Sequence, residues 1–357
     1  FQSVLLQLAS ADFPAIPIEV RGTVSSEQDS MLLIDADRLE LATRCLKDIL
    51  MVFTGVEGER VWKELDPAGE VATQVQWETR DGNRSWHIDL SPRTIEATWR
   101  GRRLVFHDQG GSEIQLIPGH VRVGQLIGRV GEASIDVSGT IDTDPMRIDA
   151  GGSYVGGLGD DLLVSLAGDG WKDVLDSIEL ADDDKTRVAP FRVEIDERDG
   201  EWDGLIEAQV MLRGAAMTAG MKLKSIDADI FSSITLNASH PTIDLQVARG
   251  LAHIRDSVFE DIRGAIQSAP IESAPSRIAI DNLVGELGEG RCVVSGFAGG
   301  KDGAWAIDVS VANSRLARLF PGAEKEGEQP STGEVDASLH LRGRAGASSE
   351  TTGVGEF

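Results

Sequence analysis

Arg122–Gly139 reads RVGQLIGRVGEASIDVSG, and Ala279–Gly296 reads AIDNLVGELGEGRCVVSG, 157 positions later and without a gap. Leu126/Leu283, Gly128/Gly285, Gly131/Gly288, Glu132/Glu289, Val137/Val294, Ser138/Ser295 and Gly139/Gly296 are identical pairs. Most other pairs set apolar against apolar. Such a repeat marks an array of similar β units. It also turns the search for function toward a surface and away from a single catalytic cluster.

Outward from the repeat, apolar and polar residues alternate. Ile16-Pro-Ile18-Glu-Val20, Trp86-His-Ile88-Asp-Leu90, Ile95-Glu-Ala97-Thr-Trp99, Trp305-Ala-Ile307-Asp-Val309-Ser-Val311 and Val335-Asp-Ala337-Ser-Leu339-His-Leu341 all have period two. Period two sends one set of side chains to each face of a strand. Strands with one apolar and one solvated face are typical of antiparallel sheets. Arg80-Asp-Gly-Asn83, Arg198-Asp-Gly200 and Lys301-Asp-Gly303 supply hairpin turns between them. The 40 glycines have no three-residue period, so they fit turns and bulges, not collagen.

Helical signals are few: Leu41–Phe53, Glu59–Leu65 and, more weakly, Trp171–Ile178. Leu251–Ile266 reads two ways. Leu251, Ile254, Val258, Ile262 and Ile266 share a helical face, but two strands around a turn are favoured because the segment leads into the second repeat copy. The expected organisation is strands and short helices over 1–66, a first repeat over 67–189 and a second over 190–321. A charged, proline-containing linker over 322–332 precedes the start of a third repeat over 333–357. These read as pieces of one continuous sheet.

With 34 Lys+Arg against 59 Asp+Glu the net charge is −25. Such a body repels nucleic-acid phosphates and anionic headgroups, which argues against nucleic-acid binding and flat adsorption to a membrane. Cys45 and Cys292 are expected as two buried free thiols, with one disulfide as the alternative. No apolar run approaches the ~18–20 residues of a membrane span. Beginning at Phe1 and ending at Phe357 within a patterned segment, the chain reads as a piece of something longer.

The familiar catalytic spacings are missing: GxxxxGK[ST], HExxH, GxSxG and CxxC do not occur. Gly151-Gly152-Ser153 and Gly156-Gly157-Leu158-Gly159 lack phosphate-loop spacing and read as turn glycines. His87, His107, His120, His240, His253 and His340 are scattered singly, with His87 and His340 at polar, solvent-facing strand positions. Asp182-Asp183-Asp184 and Asp142-Thr-Asp144 match no calcium loop and read as solvated acidic turns. Arg100–Arg103 reads as a basic turn beside a strand. No enzyme activity, cofactor or metal is expected. What remains is the apolar face, either packed shut by protein or left open for a ligand. The repeat favours an open face, since stacked units extend one surface continuously.

The repeat resembles the AsmA-like and TamB-type envelope proteins of the repeating β-groove, bridge-like lipid-transfer superfamily. The matching cores are VRVGQLIGRVGEASIDVSGTI and IAIDNLVGELGEGRCVVSGFAGGKDGAWAIDVSVANSRLARLF. The pattern shared is a Leu-x-Gly step, a glycine turn, a strand ending in Ser-Gly and a further alternating strand. Trp62–Val71 is similar to the helix-to-strand entry of such a unit, and Gly333–Gly343 to the start of another. The resemblance implies a mainly β fold: an extended, twisted antiparallel sheet array forming a U-shaped groove, with a few short helices. It further implies a lipid-binding segment that holds or conducts phospholipids, or another acyl-chain lipid, between inner and outer membranes. The implied setting is the periplasm and cell envelope, with an inner-membrane anchor outside this chain and membranes or other envelope proteins as partners at the ends of the full-length protein.

The groove-lining candidates are Trp86, Ile88, Leu90, Ile95, Trp99, Val121, Val123, Ile135, Val137, Trp305, Ile307, Val309, Val311, Leu339 and Leu341. The alternatives are a structural or adhesive β-repeat surface protein with no lipid cargo, and a polysaccharide-active β-helix enzyme.

Overall fold

A computed structural model gives the fold. It describes residues 2–10, 13–24, 30–40, 63, 66–81, 83–99, 102–130, 133–143, 145–156, 179–180, 186–198, 201–219, 221–236, 242–254, 257–271, 274–299, 304–319, 333–344 and 347–356. The protein is mainly β, and every strand pairing with a described register is antiparallel. Contacts divide it into two units, one of Phe1–Ser153 with Glu194–Asp199 and one of Tyr154–Val193 with Gly200–Phe357.

The first unit is a ladder of strands in chain order. β1 (Gln2–Ser10) pairs with β2 (Phe13–Val24), which pairs with β3 (Ser30–Glu40). β4 (Ala68–Arg80) and the long β5 (Asn83–Trp99) follow. Asp81 turns between them at φ 52°, the left-handed region a two-residue hairpin needs. The next position is filled end to end by two short strands, β6 (Arg102–Asp108) and β7 (Glu113–Ile117). Both pair with β5 on one side and with β8 (His120–Val130) on the other. β9 (Ala133–Thr143) and β10 (Met146–Val155) complete the ladder, and Arg147 lies 3.5 Å from Asp196 in the segment 194–199.

The break between β6 and β7 lies opposite Pro92, whose missing N–H suits an interrupted ladder. Ser112 closes the break from inside. Its hydroxyl is buried, accepts from the Ile127 N–H at 3.1 Å and hydrogen-bonds Asp108, while Gln109 N donates to Ile127 O at 3.1 Å. One side chain thus serves a backbone group that a continuous strand would otherwise pair.

The second unit holds β11 (Glu179–Leu180), part of β12 (Arg187–Arg198), and then a run in strict chain order. β13 (Glu201–Ala219), β14 (Met221–Leu236), β15 (Thr242–Ile254), β16 (Ser257–Ile271) and β17 (Ala274–Leu287) each pair with the next. β18 (Gly290–Gly299), β19 (Ala304–Arg315), β20 (Glu334–Arg344) and β21 (Ala347–Glu356) continue it. Among the described residues the only helix with described bounds is α1 (Leu316–Leu319); Lys63 is also helical.

The two repeat copies fold alike. Leu126 opposes Val137 as Leu283 opposes Val294, Gly128 opposes Ile135 as Gly285 opposes Cys292, and Val123 opposes Gly139 as Ile280 opposes Gly296. Both hairpins carry a two-to-one bulge, between the Val123 and Leu126 registers in the first copy and the Ile280 and Leu283 registers in the second. In the second copy the turn is Gly288–Glu289 with φ 60° and 66°, a type I′ connection. The likeness extends to the preceding strands. A Cβ on Gly128 would stand 2.3 Å from both the Phe106 ring and His107 O; on Gly285 it would stand 2.6 Å from the Phe259 ring and 2.5 Å from Glu260 O. Each glycine is therefore the seat of a buried phenylalanine on the next strand.

Leu251–Ile254 and Ser257–Ile266 are both strand, with Ile254 opposite Ser257, as the strand reading expects. The turn reading of Gly151-Gly152-Ser153 is overturned. These residues lie inside β10, where a Cβ on Gly152 would stand 2.0 Å from Asp136 O, so close backbone approach sets the glycine. Leu41–Phe53, Trp171–Ile178, the acidic loop at 181–185 and the linker at 322–332 lie outside the described residues. Of Glu59–Leu65 only Lys63 is described.

Candidate functional site

The ladder registers place side chains of adjacent strands in rows across each sheet, and these rows carry the candidate site. In the first unit one row runs through the register positions Val4, Val20, Ile34, Val75, Ile88, Leu116, Val121 and Ile141. All eight are aliphatic. A neighbouring row is Leu6, Ile18, Ala36, Thr73, Leu90, Ile114, Val123 and Gly139, with a single polar member. Trp77 faces Trp86 one step further along. Eight strands spaced ~4.8 Å apart give a path of roughly 34 Å.

In the second unit one row runs Ala208, Ser232, Leu245, Ile266, Ile280, Gly296, Ile307, Leu341 and Gly353. Its one polar side chain, Ser232, turns its hydroxyl onto Ala208 O at 3.1 Å. Beside it run Val210, Ile230, Val247 and Gly264, then Leu283, Val294, Val309, Leu339 and Gly355. Gly264 joins the two stretches, since a Cβ there would stand 3.0 Å from Leu283 Cα. No charged residue interrupts these rows. The nine-strand path is roughly 38 Å long, against ~15 Å for one leaflet of a bilayer's hydrocarbon core.

Burial along the rows is uneven. In the first unit Val71, Val75, Ile88 and Leu90 form a buried cluster, packed by Ile34, Leu39, Trp86, Ile95, Ile114 and Leu116. In the second unit the buried cluster of Ala252, Phe259, Ile262, Cys292 and Val311 lies along one margin. The long rows beside it are mostly half-buried, and Leu339 is 38% exposed. Both clusters are built by neighbouring strands of one sheet packing sideways, with no described member from a covering layer. Burial pushes the Cys292 thiol up to about 11, so at neutral pH it is an unreactive apolar group.

The registers place the sequence candidates as follows. Trp86, Ile88, Leu90, Val121, Val123 and Val137 share the apolar face of the first unit, with Ile135 next to Val137 on the same side of β9. Ile95 packs on the buried cluster; the Trp99 side chain lies outside the described set. Trp305, Ile307, Val309, Val311, Leu339 and Leu341 share one face of the second unit, Ile307 opposite Leu341 and Val309 opposite Leu339. Sequence reading missed Val75, Ile114, Leu116 and the whole contribution of β13–β17. The signal was present, since Ile206, Ala208, Val210 and Leu212 alternate, as do Ile226, Ala228, Ile230 and Ile234.

The opposite face carries polar rows, with apolar exceptions such as Phe231, which is 52% exposed. In the first unit Glu19, Asp35, Gln74, Asp89, Gln115, Arg122 and Thr140 stand in one cross-strand row. Gln74 donates to Asp35 at 2.7 Å, and a hydrogen bond from Arg21 holds the Glu19 carboxyl below its usual range. Three histidines each bond a separate aspartate: His87 to Asp89 and His120 to Asp142 at 2.6 Å, and His340 to Asp308 at 2.5 Å. Arg103 pairs with Glu96 from within β6, whose strand begins at Arg102. Asp144, Asp182, Asp183, Asp184, His240 and Cys45 lie outside the described residues. Among the described residues no three His, Cys, Asp or Glu side chains converge for a metal, and no helix is long and apolar enough to cross a membrane. Comparison of the chain with protein-family models, with curated proteins and with solved structures finds no match.

Proposed function

We propose that this chain is a lipid-binding segment of an AsmA-like envelope protein, holding or conducting phospholipids along its apolar sheet face between inner and outer membranes. The observation that carries the reading is the row from Ala208 to Gly353, nine strands wide and free of charge. A lipid chain exposed to water costs about 0.8 kcal/mol per methylene. A continuous aliphatic strip removes much of that cost while the headgroup stays wet. Contacts that are uniform and individually weak let a chain slide, where one deep pocket would trap it. The segment works without catalysis, in the periplasm, within a longer envelope protein anchored at the inner membrane.

The test is mass spectrometry of an organic extract of the purified chain, with an unrelated acidic β protein prepared in parallel. Phospholipid near one molecule per chain or more supports the reading. A clean extract with no uptake of added lipid refutes it. Val309→Asp, midway along the strip between Val294 and Leu339, is expected to cut lipid uptake at least ten-fold while the fold persists. Desolvating a carboxylate under an acyl chain costs several kcal/mol, whereas the half-buried site leaves it partly hydrated in the empty protein.

A second reading, a structural β-repeat protein without cargo, is favoured by the polar row from Glu19 to Thr140. Matched polar ladders are what a purely architectural sheet would carry. A clean lipid extract would move the assignment to it.

A further inference from the structure

We propose that Thr73 is the polar contact of the first unit's apolar face, donating a hydrogen bond to an ester carbonyl of an acyl lipid. The inference rests on the lipid reading above and deepens it. Thr73 stands between Ala36 and Leu90 in a row that is otherwise aliphatic from Leu6 to Gly139. The residue is only 6% exposed, and its hydroxyl is the one buried side-chain oxygen or nitrogen without a hydrogen-bond partner among the described residues. The other buried hydroxyls with given bonds are engaged: Ser112 with Asp108 and Ile127, Ser268 with Ile243 N at 2.6 Å, Ser314 with Leu287 O.

An unpaired buried hydroxyl weakens the fold. Neither packing nor strand propensity calls for it, because valine has the same shape and is as well suited to a strand. The hydroxyl acquires a use when the row is occupied. Val71 and Val75 flank Thr73 on β4 and Leu90 opposes it, all three members of one buried aliphatic cluster with Ile88, against which Ile34 and Leu39 pack. None of these side chains offers an acceptor, and a ligand lying on the row can supply one. An acyl lipid carries one where its chains end, at the ester carbonyl. The neighbour Ala36 is small and buried, so the side chain opposite Thr73 in the row is a single methyl group. In the empty protein the aliphatic neighbours cover the hydroxyl, and an entering chain parts them.

The experiment uses the whole chain with a photoactivatable diester phospholipid and its diether analogue of equal chain length, which lacks the carbonyls. Cross-links are read on peptides from residues 68–99, so that binding in the second unit does not dilute the result. The wild type is expected to favour the diester about five-fold, the worth of one neutral hydrogen bond. Thr73→Val is expected to bring the ratio to about one with a melting temperature no lower than wild type, and Thr73→Ser to restore it. An unchanged ratio in Thr73→Val, with both lipids still bound, overturns the Thr73 assignment and leaves the lipid reading standing. Failure of the wild type to cross-link either lipid on these peptides overturns the Thr73 assignment, and failure to cross-link either lipid anywhere in the chain overturns the lipid reading as well.

Discussion

Replacing Gly285 by alanine tests whether the glycine seat holds two strands in register. The added Cβ would stand 2.5 Å from Glu260 O and 2.6 Å from the Phe259 ring. Both are well inside contact distance, and they resist differently. A ring edge turns, but the Glu260 carbonyl belongs to β16, which is pinned by its ladder to β17. Overpacking of this kind costs ~1–3 kcal/mol, and a backbone obstacle places it near the upper end, at about 3. Loss of glycine's unfolded-state freedom returns ~0.4–1 kcal/mol, leaving about 2 kcal/mol of net destabilisation. Cys292 opposes Gly285 in the ladder and is 1% exposed, so its thiol reports local opening. In a Cys45→Ser background, labelling of Cys292 under native conditions is expected to speed up about 30-fold, the population change that 2 kcal/mol brings. Gly128→Ala, with both obstacles at 2.3 Å, is expected to lower the urea midpoint by at least as much. Labelling within two-fold of wild type in Gly285→Ala would refute the argument, because β16 would then yield freely and the phenylalanine would not need its glycine.

Ser112→Ala removes the acceptor for Ile127 N–H at the break between β6 and β7; a loss of ~1–3 kcal/mol is expected, seen as faster hydrogen exchange at the Ile127 amide, and unchanged exchange would show that water serves that amide equally well. Cys292 predicts an alkaline decline in stability. Its folded thiol titrates at about 11 and the unfolded one near ~8.5, so the unfolded chain releases its proton first as pH climbs. The contribution is complete below the unfolded value and is lost as pH rises through the folded one. The gap in unfolding free energy between wild type and Cys292→Ala should therefore shrink over that interval, and parallel curves would contradict the burial argument.

The fold was legible because alternation states the face of each residue and the repeat states that one hairpin recurs. That Leu126 corresponds to Leu283 and Val137 to Val294 follows from the aligned copies alone. What alternation omits is which residue stands opposite which. Register is set by bulges such as those at Val123/Leu126 and Ile280/Leu283, and a bulge has no firm sequence mark. Alternation thus assigned each candidate residue a face of its strand, while the rows that join Ile88 to Leu116, or Leu245 to Ile266, were not legible. Phe106 and Phe259 escaped for a related reason. They precede their glycines by different numbers of residues, so no fixed period connects them, although they occupy the same place in the ladder. Gly152 was misread because close approach of a neighbouring backbone demands glycine as strongly as a turn does. Thr73 and Ser112 differ only in whether a partner lies within reach, which spacing cannot express.

From β13 to β21 every strand pairs with the one before it in the chain. The loop that must close before each new ladder forms is therefore local, at most the 18 residues between Arg315 and Glu334, never half the chain. Sheets built from distant segments assemble slowly because that entropy is spent before any contact repays it. Here each strand of the run needs only its predecessor in the chain as a partner. Order along the chain and order across the ladder coincide, so lengthening such an array by further units adds little to the difficulty of folding it.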